Sequence, residues 1–217
     1  MNQRLLEKEG FAALVLRLRS QGIGEPGLLA ALEQTPRSLF IGPAHAAEAY
    51  DNRLMPLDCG SFAESPDLVA RILDLAGLKS GHRVLDVGTG SGFLAGVAGR
   101  IAERVMTIDR YRTLTTLAQQ RYQHLGVANV VARQGDGLQG VPGEGTFDRI
   151  IVTAAFESMP RNYVDFLVSE GVMVAPLRDK DGVVRMARLT RIGNRFERED
   201  FFAAPYLPLV PGVSAAL

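Results

Sequence analysis

Apolar residues recur at helical spacing through the first third of the chain and in short blocks thereafter. Leu5, Leu6, Ala12, Ala13 and Leu16 lie among good helix formers and predict a helix from residue 3 to about 21. A second short helix is predicted over 25–34, with Pro26 near its start, and Thr35-Pro36-Arg37 breaks it. Residues 43–50 read as another turn or two of helix, and 51–65 as irregular. From Pro66 the rhythm changes. In PDLVARILDLAG the apolar Leu68, Val69, Ile72, Leu73 and Leu75 share one side. Ser65 is placed to be its N-cap, Pro66 its first helical residue, Asp67 a partner for the helix dipole and Gly77 its stop. Then HRVLDV reads as a strand, SGFLAGVAGRIA as a helix, RVMTID as a strand and YRTLTTLAQQRYQHLG as a helix. NVVARQ and FDRIIVTA are predicted strands, followed by a helix near 157–168 and the strand GVMVAPL. The tail, 183–205, alternates in stretches such as VVRMARLTRI and predicts antiparallel strands closing one edge.

Strands spaced this way predict a doubly wound α/β fold. Its mostly parallel sheet is Rossmann-like and covered by helices on both faces, with an N-terminal helical extension. No linker interrupts the chain, so one domain is expected over 1–217. Residues 1–65 form its helical cap and substrate-loop region, and 66–217 its cofactor-binding core.

Composition adds mainly exclusions. The 217 residues are 47% hydrophobic and 22% charged, ordinary for a globular chain. Lys plus Arg and Asp plus Glu each number 24, so no net field favours nucleic acid or an anionic membrane. One cysteine cannot form an internal disulfide, which fits the cytoplasm. Glu7, Lys8 and Glu9 stand where a signal peptide needs an apolar core, and Arg17 and Arg19 interrupt the only nearby apolar stretch. His45, His82 and His124 lack ligand spacing, so no metal is expected. The arginines between 178 and 198 are interleaved with acids and read as a solvated strand surface. Cys59 has no histidine partner in any motif and reads as a small, half-buried residue.

The chemistry gathers around Asp86-Val87-Gly88-Thr89-Gly90-Ser91-Gly92, which follows a predicted strand and opens a helix. Glycines there let the backbone turn sharply and approach a ligand. Asp109 ends the next strand, where a carboxylate can accept hydrogen bonds from ribose hydroxyls. A nicotinamide dinucleotide would want G-x-G-x-x-G, yet Phe93 stands at the last glycine position. Asp86 would repel a pyrophosphate but suits the cationic amino-acid end of S-adenosylmethionine. Gly135-Asp136-Gly137 follows the third strand, where Asp136 can accept from the adenine amino group. The candidate cofactor residues are therefore Asp86, Gly88, Thr89, Gly90, Ser91, Asp109, Arg110, Asp136 and Gly137.

At this point the chain resembles the protein-L-isoaspartate O-methyltransferases. The resemblance runs through TPRSLFI at 35–41, AYDNRLMPL at 49–57, VLDVGTGSGF at 84–93, the acid of TIDR, GDG at 135–137, FDRIIVTAA at 147–155 and LPLV at 207–210. It implies an S-adenosylmethionine methyltransferase fold with an N-terminal helical cap. It implies methylation of the side-chain carboxylate of L-isoaspartyl residues in damaged proteins, presented as exposed, flexible peptide. Family members carry a loop of the kind G-x-T-I-S-x-P whose serine is given the catalytic role. Here that serine position falls on Glu64, and the next on Ser65; Phe156 replaces the usual proline after TAA. An ionised Glu cannot donate a hydrogen bond, and at ~4 Å and an effective dielectric of about 20 it repels an acceptor carboxylate by about 4 kcal/mol before relaxation. Three arrangements follow, with Ser65 and Glu64 as the catalytic candidates. Ser65 turns inward and Glu64 faces water; or Glu64 is the base for another acceptor; or the chain binds S-adenosylmethionine with little isoaspartyl activity.

Overall fold

The computed structural model describes residues 3–214; the ends of the expected 1–217 span lie outside the described residues. The N-terminal part holds α1 (Gln3–Ser20) and α2 (Pro26–Glu33), then 3-10 turns at Arg37–Phe40 and Pro43–Glu48. The short strands β1 (Met55–Pro56) and β2 (Phe62–Ala63) pair antiparallel around a 3-10 turn at Asp58–Gly60. Helix α3 (Pro66–Ala76) begins where Pro66 is tolerated because its missing N–H would have no intrahelical partner. It ends at Gly77, which takes a left-handed φ of 57°.

The remainder alternates. It runs β3 (Arg83–Val87), α4 (Phe93–Ala98), β4 (Arg104–Asp109), α5 (Arg112–His124), β5 (Val130–Gln134) and β6 (Phe147–Val152). A 3-10 turn at Arg161–Phe166 leads into β7 (Leu167–Arg178), β8 (Val184–Ile192) and β9 (Arg195–Ala203). The seven-stranded sheet has the order β5-β4-β3-β6-β7-β8-β9. Strands β3 to β7 are parallel to their neighbours, while β8 and β9 close one edge antiparallel, as their alternating sequence predicted. The chain moves outward from β3 through β4 to β5, then returns to β6 on the other side of β3. That reversal opens a crevice at the carboxyl ends of the strands, where doubly wound sheets bind ligands.

Strand side chains alternate between two cores. Val84, Val105, Ile151 and Val174 meet Leu14, Leu32, Ile72, Val97 and Tyr122 from the five helices. Helices α1 and α2 thus share the core of the α/β part. Leu85, Val87, Ile108, Ile150 and Met173 face Phe156 and Tyr163 instead. This second face corrects one expectation. The helix predicted near 157–168 is only the 3-10 turn, so loops and that turn cover this face among the described residues. Pro160 lacks an N–H and β7 begins at Leu167, leaving no room for a full helix.

Candidate active site

A cleft of about 200 Å³ opens at the crevice, several times the ~30 Å³ share of one water and so of a size for an organic ligand. Its floor is Val87, Gly88, Gly90, Ile108 and Asp109, with Gly135 and Gly137 beyond. One wall is the loop from Cys59 to Glu64. The other is a C-terminal strap, Leu207 to Val210, and Arg110 and Tyr111 also line the cleft.

The glycine turn is shaped by close contacts. Gly88 has φ 105°, and a Cβ there would lie 2.4 Å from the Thr153 hydroxyl oxygen. The Gly88 N–H donates to the Ile108 carbonyl at 2.8 Å, holding the turn against β4. Gly137 would bring a Cβ to 2.8 Å from Val87 and 3.0 Å from Leu209. Its missing side chain keeps the strap close to the floor.

The candidate residues divide into those that face the cleft and those that hold it. Gly88, Gly90, Asp109, Arg110, Gly137 and Glu64 line it. The Asp109 carboxylate accepts from the Gly90 and Tyr111 N–H groups, each at 3.0 Å, and keeps lone pairs for further donors. Thr89 and Ser91 are buried beneath it. Thr89 shares a 2.7 Å hydroxyl contact with Thr107, and Ser91 accepts from the Phe93 N–H at the start of α4. Asp136, expected to accept from the adenine amino group, does not itself line the cleft. Its oxygens accept from Leu138 and Gly212 N–H, each at 2.9 Å, so it anchors the strap to the third strand's turn. Asp86 is 1% exposed, and one oxygen accepts from Thr107 at 2.6 Å. The other oxygen has no hydrogen-bond partner among the described residues.

The side chains of Ser65 and Glu64 take neither of the first arrangement's positions. Ser65 does not turn inward. Its hydroxyl donates to Asn52 at 2.8 Å and accepts from the Leu68 N–H at 3.2 Å, as the cap of α3. Glu64 does not face water. It is 8% exposed, lines the cleft and accepts from the Tyr206 hydroxyl at 3.3 Å. Behind it Arg37, 1% exposed, donates to the Glu64 carbonyl at 2.6 Å and lies 4.6 Å from the Phe93 ring centre. Burial lowers the Arg37 pKa to about 10. Burial also raises the pKa of Glu64, Asp86 and Asp109, with Asp86 shifted furthest.

Arg37, Thr153, Tyr206 and the strap carry no role in the sequence pattern alone. The PRSLF and LPLV runs were the available signals, and each carries one of these contacts. The arginine-rich tail is largely paired. Asp179 bridges Arg185 and Arg198, and Arg178 meets Glu157.

The residues present fit S-adenosylmethionine. Four glycines leave main chain open along the floor, Asp109 offers acceptors to a ribose, and the enclosed acids Asp86 and Asp109 favour a cationic ligand. A parallel sheet with this glycine turn, the acid ending β4 and an open crevice at β3 defines the class of Rossmann-like, S-adenosylmethionine-dependent methyltransferases. The sequence profile of the family described as protein-L-isoaspartate(D-aspartate) O-methyltransferase (PCMT) matches residues 9–214. A protein-L-isoaspartate O-methyltransferase of Rhizobium meliloti (strain 1021) is 55% identical, over 94% of this chain and 100% of its own. One from Azorhizobium caulinodans is 42% identical, over 97% of each chain. Among solved structures, a protein-L-isoaspartate O-methyltransferase superposes with a TM-score of 0.83 at 22% identity, covering 94% of this chain and 67% of the other. A Plasmodium falciparum relative, solved with S-adenosyl-L-homocysteine, gives 0.79 at 21% identity, over 91% and 97%. The chain belongs to the protein-L-isoaspartate(D-aspartate) O-methyltransferase family.

Proposed function

We propose that the protein methylates the side-chain carboxylate of L-isoaspartyl residues in damaged proteins, using S-adenosylmethionine. The observation that carries this reading is the 55% identity to the Rhizobium meliloti enzyme over that enzyme's whole length. We further read 1–217 as one methyltransferase domain, with 1–65 as cap and substrate loop, working in the cytoplasm. No helix among the described residues is long and apolar enough to cross a membrane.

In this reading Gly88 and Gly90 hold the amino-acid part of the cofactor by main chain, Asp109 the ribose, and Arg110, Tyr111, Gly135 and Gly137 the adenine side. Bound S-adenosylmethionine supplies an electrophilic methyl on a sulfonium. The acceptor carboxylate is ionised at neutral pH, since its pKa is near ~4, so no strong base is required of the protein. The chain's task is positioning and exclusion of water. The loop 59–64 holds the acceptor from one side, and the strap 207–210 closes the other. The ester so formed has a better leaving group than the free acid. The neighbouring main-chain amide can then displace methanol to give a succinimide, which reopens partly to normal aspartate.

The test uses a labelled methyl donor with an isoaspartyl peptide and its aspartyl isomer. Base-labile label is expected on the isoaspartyl peptide only. Label no higher than in a no-enzyme control overturns the assignment.

A further inference from the structure

Glu64 holds the position at which the family loop places a hydroxyl donor, and its surroundings bear on what a carboxyl can do there. Four elements face it. Tyr206 immediately precedes the strap and donates a hydrogen bond to the Glu64 carboxyl. Asp86 is the last residue but one of β3 and Asp109 ends β4; Asp109 acts on Glu64 as a like charge, and Glu64 acts so on Asp86. Arg37, from the 3-10 turn of residues 37–40, is the cation, and its charge and the Tyr206 hydrogen bond oppose the rise in pKa that burial imposes on Glu64. Its guanidinium donates to the Glu64 main-chain oxygen and not to the carboxyl. Its other two nitrogens have no hydrogen-bond partner among the described residues. Glu64 is therefore enclosed with acids on two sides and no cation hydrogen-bonded to its carboxyl group.

An isoaspartyl acceptor brings a further carboxylate into this corner. Two enclosed carboxylates side by side cannot both stay ionised; one proton shared between them is the stable arrangement. Resting on the isoaspartyl reading above, we propose that Glu64 acts as a neutral carboxylic acid that donates a hydrogen bond to the acceptor carboxylate. It thus replaces the serine hydroxyl of the family loop as the group touching substrate. The burial that raises the Glu64 pKa supports this protonation state. The balance of the transfer is simple. An acceptor oxygen forms the O–CH3 bond, the S–CH3 bond breaks with its electron pair left on sulfur, and Glu64 keeps its proton throughout. This explains how a Glu fits a site for anions, and it predicts dependence on pH. Above the Glu64 pKa the donor is lost and a second anion appears, so acceptor binding weakens as pH rises. Below it, binding persists until the acceptor itself is protonated.

The experiment compares wild type with Glu64→Gln, Glu64→Ala and Glu64→Ser. Two quantities are followed across pH: kcat/KM for an isoaspartyl peptide, and calorimetric affinity for that peptide with S-adenosylhomocysteine bound. Glutamine keeps a donor that cannot ionise, so it should retain activity and flatten the fall at high pH, and serine should act likewise. Alanine should raise KM and weaken peptide binding at least about tenfold, the loss expected of a hydrogen bond to a charged group. An infrared band of a protonated carboxyl, present in wild type and absent in Glu64→Gln, should accompany this. A circular-dichroism spectrum and a cooperative thermal unfolding like those of wild type show in each variant that the fold is kept. Glutamine and serine both as defective as alanine, with wild type active, means the ionised carboxylate is used and overturns the proposal alone. No ester from wild type or any variant overturns the isoaspartyl reading, and this proposal with it.

Discussion

At Asp86 a carboxyl is enclosed with one oxygen on Thr107 and the other without a hydrogen-bond partner among the described residues. Burial, before any neighbouring charge, raises its pKa well above the usual value. A carboxyl whose folded pKa stands above its unfolded one, near ~4, holds its proton more tightly in the native chain. Ionising it therefore withdraws stability as pH climbs from that unfolded value, and the loss levels off only above the folded pKa. Each unit of displacement is worth about 1.4 kcal/mol. Asp86→Asn keeps an acceptor for Thr107 and cannot ionise. The variant should gain in Tm over ligand-free wild type as pH rises from about 5 towards neutrality, measured by thermal unfolding. A difference that shrinks over this range would refute the assignment. Comparing the two proteins cancels His82, which burial lowers and which acts in the opposite direction. Asp179 and Asp181, held low by Arg198 and Arg185, change charge only at more acid pH. S-adenosylhomocysteine, carrying an ammonium group, should reduce the Asp86 effect.

Helix α3 shows what local sequence discloses at the scale of elements. Ser65, Pro66 and Gly77 mark both its ends by backbone chemistry alone, and the structure has the same cap, first residue and stop. The Arg17–Asp67 ion pair, at 2.8 Å, then ties the first turn of α3 to α1, a contact that no local pattern encodes. The segment after β6 was not legible for a related reason. Its helical spacing over 157–168 competes with Pro160 and with the pairing of Leu167 to Phe147, and the sheet takes the residues. The loop before α3 lies between these cases. Sequence placed Glu64 and Ser65 correctly along the chain, but their directions depend on Asn52, Arg37 and Tyr206, all distant in sequence. If Ser65 serves as a cap, Ser65→Ala should cost about 1 kcal/mol in denaturant unfolding. Its effect on kcat at a temperature where the fold is intact should be small beside that of Glu64→Ala. A large fall in kcat with unchanged stability would return Ser65 to the chemistry.

For the whole molecule the informative segment is the strap, because it joins parts that the sheet leaves separate. Leu209 donates to Ala155 after β6, and Ala155 donates back to Leu207, both at 2.8 Å. Gly212 reaches Asp136 after β5, and Ser214 reaches the Arg110 carbonyl after β4. The strap thus spans the carboxyl ends of three strands and forms one wall of the cleft, while Leu207 and Val210 remain 64% and 47% exposed. LPLV could be seen in the sequence as a family mark. Its place over the crevice could not, because it depends on strand order and on the missing side chain of Gly137. A segment held by few buried contacts opens locally at low cost, and a ligand that completes its packing raises that cost. Amide hydrogen exchange should therefore slow at Leu209, Gly212 and Ser214 when S-adenosylhomocysteine is added. Amides in the middle of β3 and β6, already protected by the sheet, should change little. Leu209→Ala removes apolar surface where strap meets floor, so the same ligand should then protect these amides less and bind more weakly. Equal protection in both proteins would mean that the strap is held by its hydrogen bonds to Ala155 and Asp136 alone. The wall of the cleft would then be rigid before the cofactor arrives.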